Sequence, residues 1–322
     1  MKYRLLHAFA LAAGAGFTCT AAAQSAAQTY PSKPIRIIAP GSGGSGDFAA
    51  RLIAQGMSAS LGQQVIVENR SGIIPAEIVA KAPPDGYTLL LHGSTIWLTP
   101  LLQDNVSYDP ARDFSPIALT NRSPNILVVH PAVPARSVME LIALAKARPG
   151  ELNYSSGSIG GSSFLAPELF KAMTGAKIVR IAYKGDTQEI TDLISGNVQL
   201  TFGAVAALTP HIKSGRLRAL AVTSAERSAL FPGLPTIAAS GLPGYEAVSI
   251  LGVWAPAGTP VMLIDRLNHE IVEVFKKSDV KERFLIAGVE TVGSSPQQFA
   301  AKIKSETIKW GKVFKDAGIR VE

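Results

Sequence analysis

The chain has one cysteine, Cys19, and only five histidines among its 322 residues. Without a second cysteine it can form neither an internal disulfide nor a zinc site built on paired cysteines. No two histidines have the spacing of metal ligands, and the H-E-x-x-H motif is absent. The G-x-S-x-G nucleophile elbow and the G-x-x-x-x-G-K-[ST] phosphate loop are also absent. We therefore expect no bound metal and no cofactor.

Charged residues are few, at 17%, and 31 Lys and Arg against 24 Asp and Glu leave a net charge of +7, which is mild for this length. No cluster of five or more basic residues, RNP-like pattern or zinc-finger pattern occurs, so we expect no nucleic-acid partner. Hydrophobic residues, at 47%, argue against a disordered chain. The length suggests about two domains.

The N-terminus has the pattern of a secretory signal peptide. Lys2 and Arg4 precede a run of apolar or small residues at 5–19, and Ala21-Ala22-Ala23 offers an A-x-A cleavage site. The run is too short and too rich in alanine and glycine for a good membrane span. We expect a signal peptide at 1–23, cleavage near Ala23, and a soluble mature chain in the periplasm that has lost its cysteine.

From residue 34 onward, short apolar runs alternate with amphipathic segments. The runs predict strands at 34–39, 64–68, 87–91, 125–129, 152–155, 178–182, 198–202, 219–223 and 248–255. The segments predict helices from 47 and at 74–81, 137–147, 163–173, 188–194, 206–214, 260–276, 280–287 and 296–317. Such alternation indicates an α/β fold with mostly parallel sheets flanked by helices.

Two strand–helix units of similar size predict two lobes. The chain crosses between them near 125–131 and again near 248–255, which assigns 24–125 plus 250–322 to lobe 1 and 126–249 to lobe 2. Ligands of such sheets bind at the carboxyl ends of the strands. We therefore expect a ligand cleft between the lobes.

Three strand-to-helix connections are candidates for ligand contacts. The first, at 40–47, is rich in glycine and ends at Asp47. Free N–H groups at the start of the following helix favour an anion. Alternatively, the glycines serve only the turn and Asp47 only caps the helix. The second, at 154–163, is rich in serine and could bind a carboxylate or be a flexible surface loop. The third contains Tyr183 and Asp186, for which packing and helix capping are the alternatives. Ser94, after the third strand, could also line the cleft.

Several ordered motifs resemble one family of transport receptors. They are the opening Tyr30-Pro31-Ser32-Lys33-Pro34-Ile35, the Gly-Gly-x-x-Asp motif at 43–47, Val67-Glu68-Asn69-Arg70, Pro83-Pro84-Asp85-Gly86-Tyr87, Tyr183-Lys184-Gly185, Leu234-Pro235-Thr236 and Ala255-Pro256-Ala257-Gly258-Thr259-Pro260. Together they resemble the tripartite tricarboxylate transporter substrate-binding proteins, the Bug family, from about residue 30 to the C-terminus. The resemblance implies a periplasmic binding protein with two α/β lobes that close on a small carboxylate.

The resemblance also implies which residues contact the ligand. Carried over by motif, the first loop would contribute Gly43, Gly44, Ser45 and Asp47, and the second Ser156, Gly157, Gly160, Ser162 and Ser163. Tyr183 and Asp186 would lie near the variable end of the ligand. Phe164 stands where the family pattern leads us to expect histidine, and we hypothesise that its ring favours a less polar, aromatic acid.

Two function classes stay open at this point. The first is a monomeric receptor that delivers a carboxylate to membrane transporter subunits or to a sensor kinase. The second is a secreted hydrolase of small carboxylic esters that uses a cleft serine, since catalytic triads need not be local in sequence.

Overall fold

The computed structural model describes residues 30–42, 44–157, 159–183, 185–228, 231–316 and 318–319. The predicted signal peptide and its cleavage site lie outside these residues. No helix in the described part of the chain combines the length and apolar character needed to cross a bilayer.

Strands of the described chain form one continuous ten-stranded sheet. They are β1 (Ile35–Ala39), β2 (Val65–Asn69), β3 (Thr88–Gly93), β4 (Phe114–Val129), β5 (Asn153–Ser156), β6 (Val179–Ala182), β7 (Leu200–Ala204), β8 (Arg218–Val222), β9 (Val248–Pro256) and β10 (Glu290–Thr291). Along the sheet the order is β2-β1-β3-β9-β4-β7-β5-β6, while β8 and β10 also pair with β4.

The sheet is flanked by helices whose positions agree closely with the hydrophobic pattern. They are α1 (Ser45–Leu61), α2 (Ile74–Ala80), α3 (Thr95–Leu98), α4 (Val138–Ala147), α5 (Ser162–Thr174), α6 (Asp186–Ser195), α7 (Val205–Lys213), α8 (Val261–Lys276), α9 (Ser278–Ile286) and α10 (Pro296–Asp316). A 3-10 turn, Thr99–Leu101, follows α3 directly. Helix α3 and strand β10 were not predicted from the sequence, because both are too short to show a period.

Each lobe is built on three parallel strands, β2-β1-β3 in the first and β6-β5-β7 in the second. The central strand β1 is buried: Ile35, Ile37 and Ile38 have no exposed surface. Burial of this kind is expected of parallel strands that helices cover on both faces, and Arg36 is the exposed residue of β1. The predicted two-lobed α/β class is confirmed. Antiparallel strands β4, β8, β9 and β10 extend the parallel sets, which strand–helix alternation did not predict.

Strand β4 joins the two lobes. Residues 114–124 pair with β9 in the first lobe, and residues 125–129 pair with β7 and β8 in the second. The sequence predicted only the second part, because Pro116, Pro124 and a polar stretch interrupt the apolar pattern. Pro116 borders a register shift in the ladder with β9, a place where a strand tolerates proline. The pairing change at residue 125 supports the proposed lobe boundaries, which stay a prediction.

One hydrophobic cluster extends through both lobes. It contains Leu90 and Trp97 from the first lobe and Tyr154 and Phe170 from the second, all nearly or fully buried. A second cluster packs α1 and α8 against the first lobe through residues such as Ile53 and Leu267. The shared cluster packs the lobes against each other and so sets how the helix N-termini at their junction face one another.

Candidate ligand-binding cleft

Three adjoining cavities lie between the lobes, and Ser162 lines all of them. The central cavity, of about 310 Å³, lies among the starts of α1, α5 and α6 and the end of β3. The lateral cavity, of about 540 Å³, extends past Phe48 to the start of α7 and to residues 287–289. The inner cavity, of about 170 Å³, lies under α6 beside Asn125 and Glu189.

The first loop brings the N-terminus of α1 to the central cavity. Gly44 is the N-cap residue in an extended conformation, and no side chain caps this helix. Gly46 lies against Pro40, where an added Cβ would approach the proline Cγ to 2.9 Å. The first amide groups of α1 have no partner within the helix, as in any helix, and the residues that begin it, Ser45 and Gly46, line the central cavity.

Asn69, at the end of β2, holds this loop in place. Its Nδ2 donates to the Pro40 carbonyl at 2.6 Å and to Asp47 Oδ1 at 3.0 Å. Asp47 also forms an ion pair with Arg51 at 2.9 Å and is only 7% exposed. Asp47 is not among the described lining residues of the three cavities, and its carboxylate positions the loop.

The second loop brings the N-terminus of α5 to the opposite side of the central cavity. Gly161 is the extended N-cap residue, again without a side-chain cap, and Ser162 and Ser163 begin the helix. The Gly157 amide donates to Ser163 Oγ at 3.1 Å, and Ser162 Oγ lies 3.4 Å from Asn125 Oδ1. Gly157, Ser162 and Ser163 line the central cavity, and their contact with a ligand stays a prediction.

Other helices show that this sequence can supply caps. In α4, Ser137 Oγ accepts from the Glu140 amide at 3.2 Å. At α10, Ser295 Oγ accepts from the Gln298 amide at 3.2 Å, and Gln298 Oε1 accepts from the Ser295 amide at 3.0 Å. At the cleft, glycines occupy the N-cap positions of α1, α5 and α6 instead, which leaves these helix ends for a ligand.

Ser94 connects the two sides of the cleft. Its Oγ donates to the Gly160 carbonyl at 2.9 Å, a buried bond between the end of β3 and the second loop. Gly160 has a φ of +75°, and a Cβ there would lie 3.4 Å from Thr95 Cα. A side chain at this position would be strained, so glycine is needed for the loop to lie against α3.

His92 is a neutral lining residue. The Gly93 amide donates to its Nδ1 at 2.9 Å, so Nε2 carries the proton and donates to the Gly72 carbonyl at 3.1 Å. Burial lowers the pKa of the imidazole from its ordinary value of 6.5 to about 4. His92 thus adds no charge near neutral pH, and both ring nitrogens are occupied by backbone groups.

Tyr183 lines the central cavity, and its hydroxyl donates to Asp192 Oδ2 at 2.7 Å. Burial, followed by this hydrogen bond, raises the pKa of Tyr183 to about 12. Asp186 begins α6, next to the lining residue Gly185, but its side chain lies outside the described structure. Gly43 also lies outside it.

Two predicted contacts, Ser156 and Phe164, are not among the described lining residues of the three cavities. Ser156 has no exposed surface, and its Oγ accepts from Arg180 Nε at 2.6 Å. The Arg180 guanidinium lies 5.0 Å from the centre of the Phe164 ring, which is 2% exposed. The idea that Phe164 offers a stacking surface to the ligand is wrong for this geometry, because Arg180 and the core already cover the ring.

Sequence reasoning missed other lining residues. Ser123, Asn125, Ser249 and Leu251 come from the crossing strands β4 and β9, and Phe48, Val205, Ala207 and Glu189 from helices. Alternate residues of a strand point to the same face, so these positions on β4 and β9 could have been predicted once the two crossings between the lobes were known. Within the described lining of the three cavities there is no lysine or arginine. Nor do the described residues bring three or more His, Cys, Asp or Glu into a possible metal site.

Comparison with known proteins identifies the family. Residues 49–319 match the model of the tripartite tricarboxylate transporter family receptor. The chain belongs to this receptor family. The resemblance predicted from the motifs is thereby confirmed.

Relatives of this receptor family match along most of the chain. Protein BugT of Bordetella pertussis is 38% identical over 311 residues, which cover 95% of each protein. A protein of R. palustris solved with adipate is 39% identical, with a TM-score of 0.83 over 90% of this chain and 99% of that one. MatC from Rhodopseudomonas palustris, solved with bound malate, is 26% identical, with a TM-score of 0.80 over 88% of this chain and 99% of that one.

Proposed function

We propose that the protein is a periplasmic receptor that captures a small aliphatic or aromatic carboxylate. It delivers this acid to membrane subunits of a tripartite tricarboxylate-type transporter or to a sensor kinase. The family is one of transport receptors. Two structural neighbours were solved with dicarboxylates, adipate and malate, which supports an organic acid as the ligand here.

One observation carries the proposal: α1 and α5 both begin at the central cavity with glycine N-caps and no side-chain cap. The positive ends of the helix dipoles and the first amide groups stabilise an anion without a cationic side chain. Ser45, Ser162 and Ser163 add hydroxyl groups at the same place. Neutral donors of this kind suit a carboxylate that must bind and later leave.

The hydrolase alternative has no support in the described cleft. A serine nucleophile needs a base within hydrogen-bond reach. His92 is the one histidine among the described lining residues, and backbone groups occupy both of its ring nitrogens. Ser162 Oγ is directed at Asn125 rather than at a base.

Thermal unfolding of the mature chain, refolded to remove any bound acid, tests the receptor function. The panel contains citrate, dicarboxylates, acidic amino acids, and benzoate- and phthalate-type acids. A ligand at about 100 times its Kd adds about 2.7 kcal/mol of stability, which raises Tm by a few degrees. We expect at least one selective shift.

Ser162→Asp tests where in the cleft the acid binds, and Ser137→Asp is its control. Aspartate at the first position of α5 suits the helix dipole, so the fold is kept, but its charge repels an anion at the same helix end. Ser137→Asp places the same change at the N-cap of α4, away from the cleft. We expect the thermal shift to vanish in S162D and to persist in S137D. Equal shifts in both variants would contradict this location of the site.

A further inference from the structure

The lateral cavity has an apolar wall to which both lobes contribute. This wall includes Phe48, Ala287 and Val289 from the first lobe and Val205, Ala206 and Ala207 from the second. The described lining of the lateral cavity contains no charged side chain. The central cavity, in contrast, is lined mainly by glycines and by residues that carry a hydroxyl group. The cleft therefore has a polar end and an apolar end.

The two ends of the cleft are continuous. Ser45 begins α1, Ser162 begins α5, and both residues line the central and the lateral cavity. We assign the ligand carboxylate to these two helix ends. The rest of an acid bound there can extend past Ser45 and Ser162 to the apolar wall.

Phe48 is the one aromatic residue in the described lining of the lateral cavity, and its own lobe holds it in place. Its ring packs edge-on against Phe284, with the ring centres 5.3 Å apart and an interplanar angle of 68°. Phe284 has no exposed surface, whereas Phe48 is half-buried and packs against the same hydrophobic cluster. Phe48 thus has the position at the cleft that the sequence led us to expect for Phe164.

Two polar features of the lateral cavity are engaged within the protein. The Asn125 side-chain amide donates to the Phe202 carbonyl at 3.1 Å. Gly288 of the first lobe lies against the start of α7, since a Cβ there would be 2.8 Å from Val205 Cγ1 and 3.4 Å from the Ala206 nitrogen. A second carboxylate at this end would lose its hydration beside apolar side chains, and the described lining offers it no cation.

Burial of hydrocarbon at such a wall is favourable, and burial of an unpaired carboxylate is costly. We propose that Phe48 is a specificity-determining residue and that the apolar wall around it selects monocarboxylic acids with an apolar body over dicarboxylic acids of the same skeleton. This inference rests on the proposed receptor function of the cleft. It concerns which acid binds best, so it can fail while the receptor function stands.

Calorimetric titration of the mature chain with matched acids tests the inference. Each pair shares a carbon skeleton and differs only at the far end: hexanoate and adipate; 4-methylbenzoate and terephthalate. In the pair that fits the cleft, we expect the monocarboxylic acid to bind at least about tenfold more tightly than the dicarboxylic acid. From butanoate to pentanoate to hexanoate, each added methylene group should tighten binding by about fourfold.

Phe48→Ala removes the ring from the apolar wall and keeps a good helix former in α1. We expect F48A to bind the monocarboxylic acid about tenfold more weakly and the dicarboxylic acid about as tightly as the wild type does, so the preference is lost. Phe48→Leu keeps an apolar side chain of similar reach, and it should keep most of the preference.

Phe231→Ala is the matched control. Phe231 is also half-buried and packs against a hydrophobic cluster of the second lobe. It is not among the described lining residues of the three cavities. The same truncation there changes packing without changing the cleft wall, so we expect F231A to keep the wild-type ranking.

The outcomes are distinguishable. A wild type that binds the dicarboxylic acid as tightly as its partner, or that binds acids of the wider panel but neither monocarboxylic acid, overturns the inference and leaves the receptor function standing. So does a preference that F48A leaves unchanged or that F231A also loses. A wild type that binds no acid of either pair and none of the wider panel overturns both. If F48A does not fold, the wild-type ranking within the matched pairs decides alone.

Discussion

The buried histidine of the cleft, His92, makes the free energy of unfolding fall as the pH falls. His92 is 7% exposed, and burial lowers the pKa of its imidazole from 6.5 to about 4. Between these values the unfolded chain binds a proton that the folded chain does not, so the free energy of unfolding falls as the pH falls. The full gap corresponds to about 3 kcal/mol, and about 2.5 kcal/mol of it is lost by pH 4.5.

His92→Gln removes this titration with little change in shape. The glutamine amide can still donate toward the Gly72 carbonyl, which His92 Nε2 contacts at 3.1 Å. We expect urea unfolding at pH 8 and pH 4.5 to show that the wild type loses about 2.5 kcal/mol more than H92Q between the two conditions. Other titrating groups are shared by both proteins, so their contributions cancel in this difference.

His269, exposed on α8, supplies the control. H269Q also removes one histidine, but from the exposed surface of α8, so it separates the loss of a histidine as such from the loss of the buried one. Equal losses in the wild type and H92Q would refute the reasoning, because they would mean that the folded protein accepts a proton on His92 at no cost.

Three further substitutions test packing and the contact between lobes. Gly252→Ala would place a Cβ 2.1 Å from Phe299 Cζ, so we expect urea unfolding to show that the free energy of unfolding falls by about 1–3 kcal/mol. Gly311→Ala in α10, where the nearest atom would lie at 3.8 Å, should raise the free energy of unfolding by about 0.5–1 kcal/mol. A rise in both variants would contradict the close approach at Gly252. Ser94→Ala removes the buried bond to the Gly160 carbonyl and should cost about 1 kcal/mol in the same assay, and an unchanged midpoint would show that this bond contributes nothing.

Most of the fold could be predicted because its signals are local. Strand β1 and helix α8 agree within a residue or two with the apolar run and the amphipathic segment that predicted them. Strand β4 could be predicted only in part, because its first half depends on pairing with β9 and not on an apolar run of its own. Antiparallel pairing between strands far apart in the chain has no local signal at all.

The sequence could predict which loops form the candidate site, but not which of their side chains line it. The glycine- and serine-rich connections do carry the helix N-termini to the cleft, as strand–helix order implies. Which serine faces the cavity could not be predicted. Ser156 and Ser162 are equally polar in the sequence, yet Arg180 binds the first and the second lines the cleft.

The sequence by itself determined the order of strands and helices, the two glycine- and serine-rich loops and the family, because periodicity and motif order are properties of the chain alone. Only the tertiary structure decided that Phe164 lies under Arg180, that Asp47 supports a loop, and that Glu189 lies at the cavity wall. The physical reason is that the direction of a side chain depends on what packs against it, and these neighbours come from distant parts of the chain.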